Sequence, residues 1–136
     1  EIIAAFLYAQ LENLDLIQNK RKALWEYYYR SLQPYADKGI FTLPQLPSYA
    51  TNNAHMFYLL CNNLGERTDL IKRLKDNNIL AVFHYLSLHS SDFYKDKYDG
   101  RELPNCDHYA DCIVRLPLYF ELEEKDIDLI VNSIIS

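Results

Sequence analysis

In the stretch Leu80-Ala-Val-Phe-His84-Tyr85-Leu-Ser-Leu-His89-Ser-Ser91, an apolar run is followed by a segment that contains polar rings. The apolar residues from Ile79 to Phe83 predict a short buried strand. Two imidazoles and a phenol then follow, at His84, Tyr85 and His89. Polar rings at the end of a strand are a frequent way to hold a ligand on a rigid scaffold. We therefore interpret the rest of the chain as the support of this stretch.

A strand, a turn and a helix precede this stretch. The segment His55-Met-Phe-Tyr-Leu-Leu-Cys61 has apolar groups on both faces, which predicts a central strand. The turn Asn62 to Gly65 leads into a helix from Glu66 to Asn77, and Asn77-Asn78 is a plausible left-handed end for that helix. Farther upstream, Ile40 to Leu43 predicts a short edge strand between prolines.

The N-terminal segment is predicted to be one long helix. Apolar residues recur at spacings of three and four from Ile3 to Leu32, and Pro34 is expected to stop the helix. About 32 residues at a rise of 1.5 Å make a rod of about 48 Å. A compact domain of this length has a diameter of about 37 Å. We therefore expect the N-terminal half of this helix to be covered by a part of a larger protein.

The C-terminal third alternates loop, helix and strand. Ser90 to Pro104 reads as an ordered loop, and Asn105 is expected to cap a short helix that ends at Ile113. Arg115 to Tyr119 is predicted to be extended, and Glu123 to Ile135 to form a final helix. The fold class that follows is α+β, with a small, mostly antiparallel sheet packed with helices and a long N-terminal helix.

Composition limits the classes of function. The 136 residues suit a single domain, spanning residues 1–136, and the net charge of −5 argues against a general nucleic-acid binder. No apolar run approaches the roughly 20 residues of a membrane span. Three cysteines without framework spacing indicate free thiols in a reducing compartment, so a cytoplasmic location is expected. We expect no nucleic-acid partner and no membrane partner.

An ordered set of short motifs resembles the sugar-nucleotide aminotransferases, which are pyridoxal phosphate (PLP) enzymes of fold type I. The chain is most similar to the dTDP-4-amino-4,6-dideoxygalactose transaminases of surface-polysaccharide synthesis, and the resemblance covers essentially all of it. The motifs are Ala4-Ala5 with Gln10-Leu11 and Leu14, Arg21 with Tyr27 to Tyr29 and Leu32, Asn53 to Phe57, His84-Tyr85 with Leu88-His89, and Leu116-Pro117-Leu118.

This resemblance implies a two-domain enzyme of which the chain is the C-terminal small domain. The family's large N-terminal domain holds the cofactor and its Schiff-base lysine, and that domain is absent here. The eight lysines of this chain all lie in charge-rich contexts. The resemblance thus implies no catalytic residue and no cofactor-binding residue in the chain, which would be inactive alone. It also implies a homodimer, a sugar nucleotide and glutamate as substrates, and PLP in the parent enzyme.

Four residues are candidates for substrate binding. The resemblance places His84, Tyr85 and His89 near the sugar nucleotide, with Ser87 standing where the family usually has proline. Arg115 could anchor the carboxylate of glutamate through a bidentate pair. The alternative is structural: His84 as a satisfied histidine at a strand end, Tyr85 as a core residue and Arg115 as a solvated one.

Other functions stay open at this point. The domain could be a non-catalytic binding or assembly module, or a small enzyme that uses His84 and His89 as acid and base. The second option lacks a carboxylate at a recognisable spacing to orient the histidines. Cys106, His108 and Cys112 suggest zinc, but offsets of two and six residues do not converge on one face of a helix, so no metal site is expected.

Overall fold

The computed structural model describes all 136 residues and has five α-helices around a three-stranded sheet. The α+β class predicted from the sequence is confirmed. Two short 3-10 turns, at Leu88–Ser90 and Lys95–Lys97, lie between β2 and α4. The elements are α1 (Ile2–Glu12), α2 (Leu14–Ala36), β1 (Phe57–Leu60), α3 (Leu64–Asp76), β2 (Val82–Phe83), α4 (Pro104–Cys112), β3 (Ile113–Leu116) and α5 (Glu124–Ile135). No helix combines the length and apolar character that crossing a bilayer requires.

The last strand in the chain occupies the middle of the sheet. The strand order is β1-β3-β2 and both pairings are antiparallel. The prediction of a central strand at 55–61 is therefore wrong, because β1 lies at the edge. On its outer side β1 has only an isolated bridge between Thr42 and Leu60, which is the remnant of the edge strand predicted at 40–43. The sheet is completed only when the segment after α4 pairs on both sides.

The strand predicted from Ile79 to Phe83 is wrong in both length and burial. Only Val82 and Phe83 pair with β3, and both are exposed. Asn78 has a φ of 60°, and the Ile79 N–H bonds to the Leu74 carbonyl, so Ile79 belongs to the end of α3. The predicted left-handed end at Asn77-Asn78 is thus confirmed at Asn78. The apolar run is divided between a helix end and a two-residue strand.

The N-terminal segment is two helices rather than one. Asn13, with φ of −107° and ψ of 14°, separates α1 from α2, and its side-chain amide donates to the Ala9 carbonyl at 3.0 Å. A short amide side chain that bonds to its own backbone competes with the helical ladder, which accounts for the break. No residue of α1 is buried. The continuous rod of about 32 residues is therefore not formed.

Pro34 lies inside α2 and does not stop it. In the last turn a proline deprives only the carbonyl four residues earlier of its partner. The helix ends at Ala36, and the turn that terminates it is closed by Gly39, whose φ is 77°. The Gly39 N–H bonds to the Ala36 carbonyl and the Ile40 N–H to the Tyr35 carbonyl, which is a Schellman motif. Gly39 therefore terminates the helix, five residues after Pro34, the residue predicted to do so.

The core lies between one face of the sheet and the helices α2, α3 and α5. From α2 it receives Leu24, Tyr28 and Leu32, spaced by four residues so that they share one face. The Tyr28 ring stacks on Phe57 with 4.9 Å between centroids, and its hydroxyl donates to the Pro117 carbonyl at 3.0 Å. The buried tyrosine is thus satisfied, as a buried phenol must be.

Arg21 joins α2 to the segment before β1. Its guanidinium donates to the Ala54 carbonyl from Nε at 3.1 Å and from one terminal nitrogen at 2.9 Å, and to the His55 carbonyl at 2.7 Å. Ala54 is fully buried with a φ of 48°, and its N–H donates to the Asn52 side chain at 2.8 Å. The His55 ring itself is exposed. Arg21 therefore secures a strained backbone position.

The starts of the last two helices follow different rules. Leu103, not the predicted Asn105, is the N-cap of α4, because Pro104 occupies the first helical position. The α5 helix begins as predicted. There Glu123 and Asp126 form a capping box, each side chain bonding the backbone N–H of the other residue.

Candidate functional site

The loop after β2 faces α4 across a cleft of about 280 Å³. Its walls are mostly apolar. The loop contributes His84, Tyr85 and Leu86, and the helix contributes Cys106, Tyr109 and Ala110. The cleft is therefore formed by the stretch that the sequence singled out and by a helix that it did not connect with that stretch.

His84 and Tyr85 are available to a ligand. The His84 Nδ1 atom is buried and has no hydrogen-bond partner in the protein. A buried polar atom without a partner is costly, so this nitrogen would gain from a ligand group. Tyr85 is 76% exposed and its ring lies 4.8 Å from the His84 ring. The alternatives of a satisfied His84 and a core Tyr85 do not fit this geometry.

His89 is held against the first turn of α4. Its Nε2 lies 2.9 Å from Oδ1 of Asp107, and the Ser87 hydroxyl donates to the same oxygen at 3.3 Å. The His89 ring also lies 5.2 Å from the ring of Tyr98. The side chain of His89 is 17% exposed and that of Asp107 is 50% exposed. The loop and the helix are thus joined by one imidazole, one carboxylate and one hydroxyl.

The three residues considered for zinc do not converge. The Cys106 thiol donates to the Ser87 hydroxyl at 3.5 Å, whereas Cys112 Sγ lies 3.6 Å from His108 Nδ1. No group of three or more metal-ligating side chains occurs anywhere in the chain. Cys106 and His108 therefore serve separate contacts, one at the cleft and one within α4.

Arg115 is not among the residues that line the cleft. It is on β3 opposite Tyr58 and Val82, on the sheet face away from the core, because its neighbours Val114 and Leu116 are the buried residues of that strand. Arg115 makes no ion pair or side-chain hydrogen bond. Burial, with Tyr109 nearby, raises the pKa of Tyr58, so this phenol stays neutral at ordinary pH.

The structure places His84 and Tyr85 in the cleft. His89 is not in its lining but lies beside it, since Leu88 and Cys106, the neighbours of His89 and Asp107, are lining residues. Arg115 is not a lining residue.

Comparison with known proteins gives this arrangement a context. The DegT/DnrJ/EryC1/StrS aminotransferase family matches residues 1–135. The chain belongs to this family. Its match to these proteins is to their C-terminal third.

Solved structures of aminotransferases share the fold. A DegT/DnrJ/EryC1/StrS aminotransferase from Brucella abortus is 26% identical, with a TM-score of 0.80 over 97% of this chain and 34% of its own. NtdA from Bacillus subtilis, with bound cofactor PMP, is 25% identical, with a TM-score of 0.73 over 90% of this chain and 29% of its own. PseC from Helicobacter pylori, an aminotransferase involved in the biosynthesis of pseudoaminic acid, is 20% identical and shows the fold alone, with a TM-score of 0.82 over 94% of this chain and 34% of its own.

The chain spans about one third of the length of the aminotransferases that it matches. The aminotransferase cofactor needs a lysine for its imine and a partner for its ring nitrogen. The cleft between the His84 loop and α4 contains neither a lysine nor a carboxylate among its lining residues. The residues of this cleft therefore do not fit the cofactor.

Sequence reasoning missed Asp107 and Tyr98, and it missed the contact that Ser87 makes with Asp107. Asp107 is 18 residues from His89 in the sequence, so no local spacing connects the two. The available signal was the position of Asp107 in the first turn of a predicted helix that follows the histidine loop. An acidic residue there is also explained by the helix dipole, so its position alone does not indicate a partner.

Proposed function

We propose that this chain is the C-terminal domain of a PLP-dependent aminotransferase in the cytoplasm that transfers the amino group of glutamate to a 4-keto-6-deoxy sugar nucleotide, in the synthesis of lipopolysaccharide or another surface polysaccharide. The observation that carries the proposal is the family match over residues 1–135. The chain supplies one wall of the substrate cleft, and the cofactor is held by the rest of the parent enzyme. The chain alone is inactive.

The residues that line the cleft suit a sugar nucleotide. The exposed Tyr85 ring offers a surface for stacking on a base or sugar, and the unpaired Nδ1 of His84 offers a hydrogen bond. The cleft-lining residues include no Asp, Glu, Lys or Arg. We infer that this wall orients the substrate through neutral polar and aromatic groups.

Arg115 is the proposed contact for the carboxylate of glutamate. Its guanidinium makes no ion pair or hydrogen bond within the chain, so its five donors are available to an anion. It projects from the sheet face that carries Tyr58 and Val82. Arg115 is not a lining residue of the cleft, so its guanidinium can contact a carboxylate without displacing the sugar nucleotide from His84 and Tyr85.

The partners of the domain are the large domain of the parent enzyme and a second subunit. The supporting observation is α1, whose apolar side chains have no cover within this chain. Exposed apolar surface of this extent marks a contact with another part of a protein. The same observation favours the second candidate function, a non-catalytic assembly module that uses α1 to bind other proteins.

The experiment uses the full-length protein with PLP, glutamate and dTDP-4-keto-6-deoxyglucose. The 4-amino sugar nucleotide is measured by mass spectrometry and by initial rates. We expect turnover, and we expect Tyr85→Ala to raise the KM for the keto sugar about fivefold or more, because one stacking contact is worth about 1 kcal/mol. Tyr49→Ala is the matched control, since Tyr49 is 91% exposed in a loop outside the cleft.

Arg115→Ala tests the second substrate in the same assay. We expect the KM for glutamate to rise at least about tenfold, the range for a lost charge-assisted pair, while the KM for the keto sugar changes little. Absence of any amino transfer to the keto sugar by the unmodified protein would reject the proposed function and favour the assembly module.

A further inference from the structure

His89 is oriented through one of its two ring nitrogens. Nε2 lies 2.9 Å from Asp107 Oδ1, and an ionised carboxylate can only accept a hydrogen bond. The proton of a neutral His89 ring is therefore on Nε2, and Nδ1 carries the lone pair. A hydrogen bond to one nitrogen sets the chemical role of the other.

The surroundings leave that second nitrogen unused. The protein offers no hydrogen-bond partner to Nδ1 of His89. The ring is mostly covered, with Tyr98 against it at 5.2 Å, and the Tyr98 hydroxyl is itself fixed by donating to the Arg101 carbonyl. Asp107 is anchored in the first turn of α4 and also accepts from the Ser87 hydroxyl. The imidazole thus has a defined orientation with one free acceptor.

We propose that Asp107 is a positioning residue of the sugar-nucleotide site, which holds His89 so that Nδ1 accepts a hydrogen bond from a hydroxyl group of the sugar. This inference rests on the proposed function. An acceptor nitrogen selects a hydroxyl donor rather than a phosphate oxygen, which is itself an acceptor. The contact is therefore with the sugar ring, and Asp107 acts on it only through His89.

A double-mutant cycle in the full-length enzyme isolates this role. The variants are His89→Ala, Asp107→Ala and the two together, with initial rates measured at varied dTDP-4-keto-6-deoxyglucose. Asp111→Ala is the matched control, because Asp111 is an exposed aspartate on the same helix, one turn after Asp107. Asp107→Glu keeps a carboxylate acceptor, and so tests rescue.

We expect His89→Ala and Asp107→Ala each to raise the KM for the keto sugar nucleotide about fivefold, the effect of one hydrogen bond. The double variant is expected to match His89→Ala alone. Asp107→Glu should recover most of the affinity, and Asp111→Ala should behave as the unmodified enzyme. The inhibition constant of dTDP, which has the phosphates and lacks the sugar that His89 contacts, should be the same in the unmodified enzyme and in all five variants.

Three results would overturn the inference while the unmodified enzyme remains active. The first is an Asp107→Ala protein that matches Asp111→Ala. The second is a double variant in which the two effects add, since a merely structural aspartate would weaken the enzyme without His89 as well. The third is a loss of dTDP affinity equal to the loss for the sugar nucleotide, which would place the contact at phosphate. An unmodified enzyme that does not aminate the keto sugar would instead reject the function itself.

Discussion

Of the two N-terminal helices, the more apolar one is the less buried. Most residues of α1 are apolar, yet none of them is buried, and Ile3 is 85% exposed. The α2 helix is far more polar, yet it buries Leu24, Tyr28 and Leu32. Apolar content therefore does not decide what a chain covers. The spacing of the apolar residues and the presence of a surface to meet them decide it.

The spacing differs between the two helices in a way that the helical period explains. In α2 the buried residues are four apart and form one stripe, which meets α5 and β1. In α1 the apolar side chains surround most of the helix axis, so no single face of this domain could cover them. They are Ile2, Ile3, Phe6, Leu7, Tyr8 and Leu11.

The largest effect expected from this contrast compares one tyrosine from each helix. We expect Tyr28→Ala to lower the free energy of unfolding by about 3–5 kcal/mol, because it empties a fully buried ring site. Tyr8→Ala in α1 should change it by less than about 0.5 kcal/mol. Urea unfolding followed by the fluorescence of Trp25, the single tryptophan, measures both. Equal losses in the two variants would mean that α1 is covered within this chain.

A second, smaller effect concerns the polar bonds that only α2 makes to the rest of the domain. Arg21→Ala should cost about 2 kcal/mol, since it removes charge-assisted bonds to two backbone carbonyls near the strained Ala54. Lys22→Ala, at an exposed position next to it, is the control and should cost less than about 0.5 kcal/mol. The same unfolding assay applies, and indistinguishable variants would contradict the assigned role of Arg21.

The smallest expected effect concerns a buried cysteine, Cys61, and the dependence of stability on pH. Burial, with Glu66 and Cys112 nearby, raises the pKa of Cys61 from 9.0 to about 11. Above pH 9 the thiol ionises in the unfolded state but stays protonated in the folded state, which favours unfolding. The contribution of Cys61 to the free energy of unfolding is therefore fully present below pH 9 and is lost as pH rises from 9 to 11. We expect this group to contribute a loss of about 1 kcal/mol by pH 10.

Cys61→Ala provides the comparison for this pH dependence. The variant should show a shallower fall in the free energy of unfolding between pH 9 and 11, whatever its stability at neutral pH. Tyr28, whose pKa burial raises well above its usual range, supplies a further fall at higher pH. Parallel curves for the two proteins would show that Cys61 does not titrate in this window.

Sequence reasoning succeeded where one local signal acts alone. The helix end at Asn78 follows from an asparagine that tolerates a left-handed backbone, and the start of α5 from an acidic first turn. It failed where two signals compete. Pro34 and Gly39 both suggest a stop, and the position of the proline in the last turn made it harmless. Asn13 breaks a helix that apolar spacing alone predicts to be continuous.

The candidate residues on the loop after β2 could be predicted from the sequence, whereas the contribution of α4 could not. His84, Tyr85 and His89 stand close together in the sequence, so their proximity needs no knowledge of the fold. Asp107 meets His89 only because β3 enters the sheet beside β2, and α4 immediately precedes β3. A contact that depends on the order of strands in a sheet has no signature in local spacing. That Arg115 is not a lining residue of the cleft was hidden for the same reason.

The backbone at Ala54 limits what can replace it. The position combines complete enclosure with a backbone conformation that side chains with a Cβ rarely adopt, and both its polar groups are engaged. Any larger residue would meet neighbouring atoms, and a β-branched one would add torsional cost. Glycine alone can relax the torsion while keeping the bonds of the peptide group. If all twenty amino acids were tested at this position, we expect only alanine and glycine to preserve the stability of the fold.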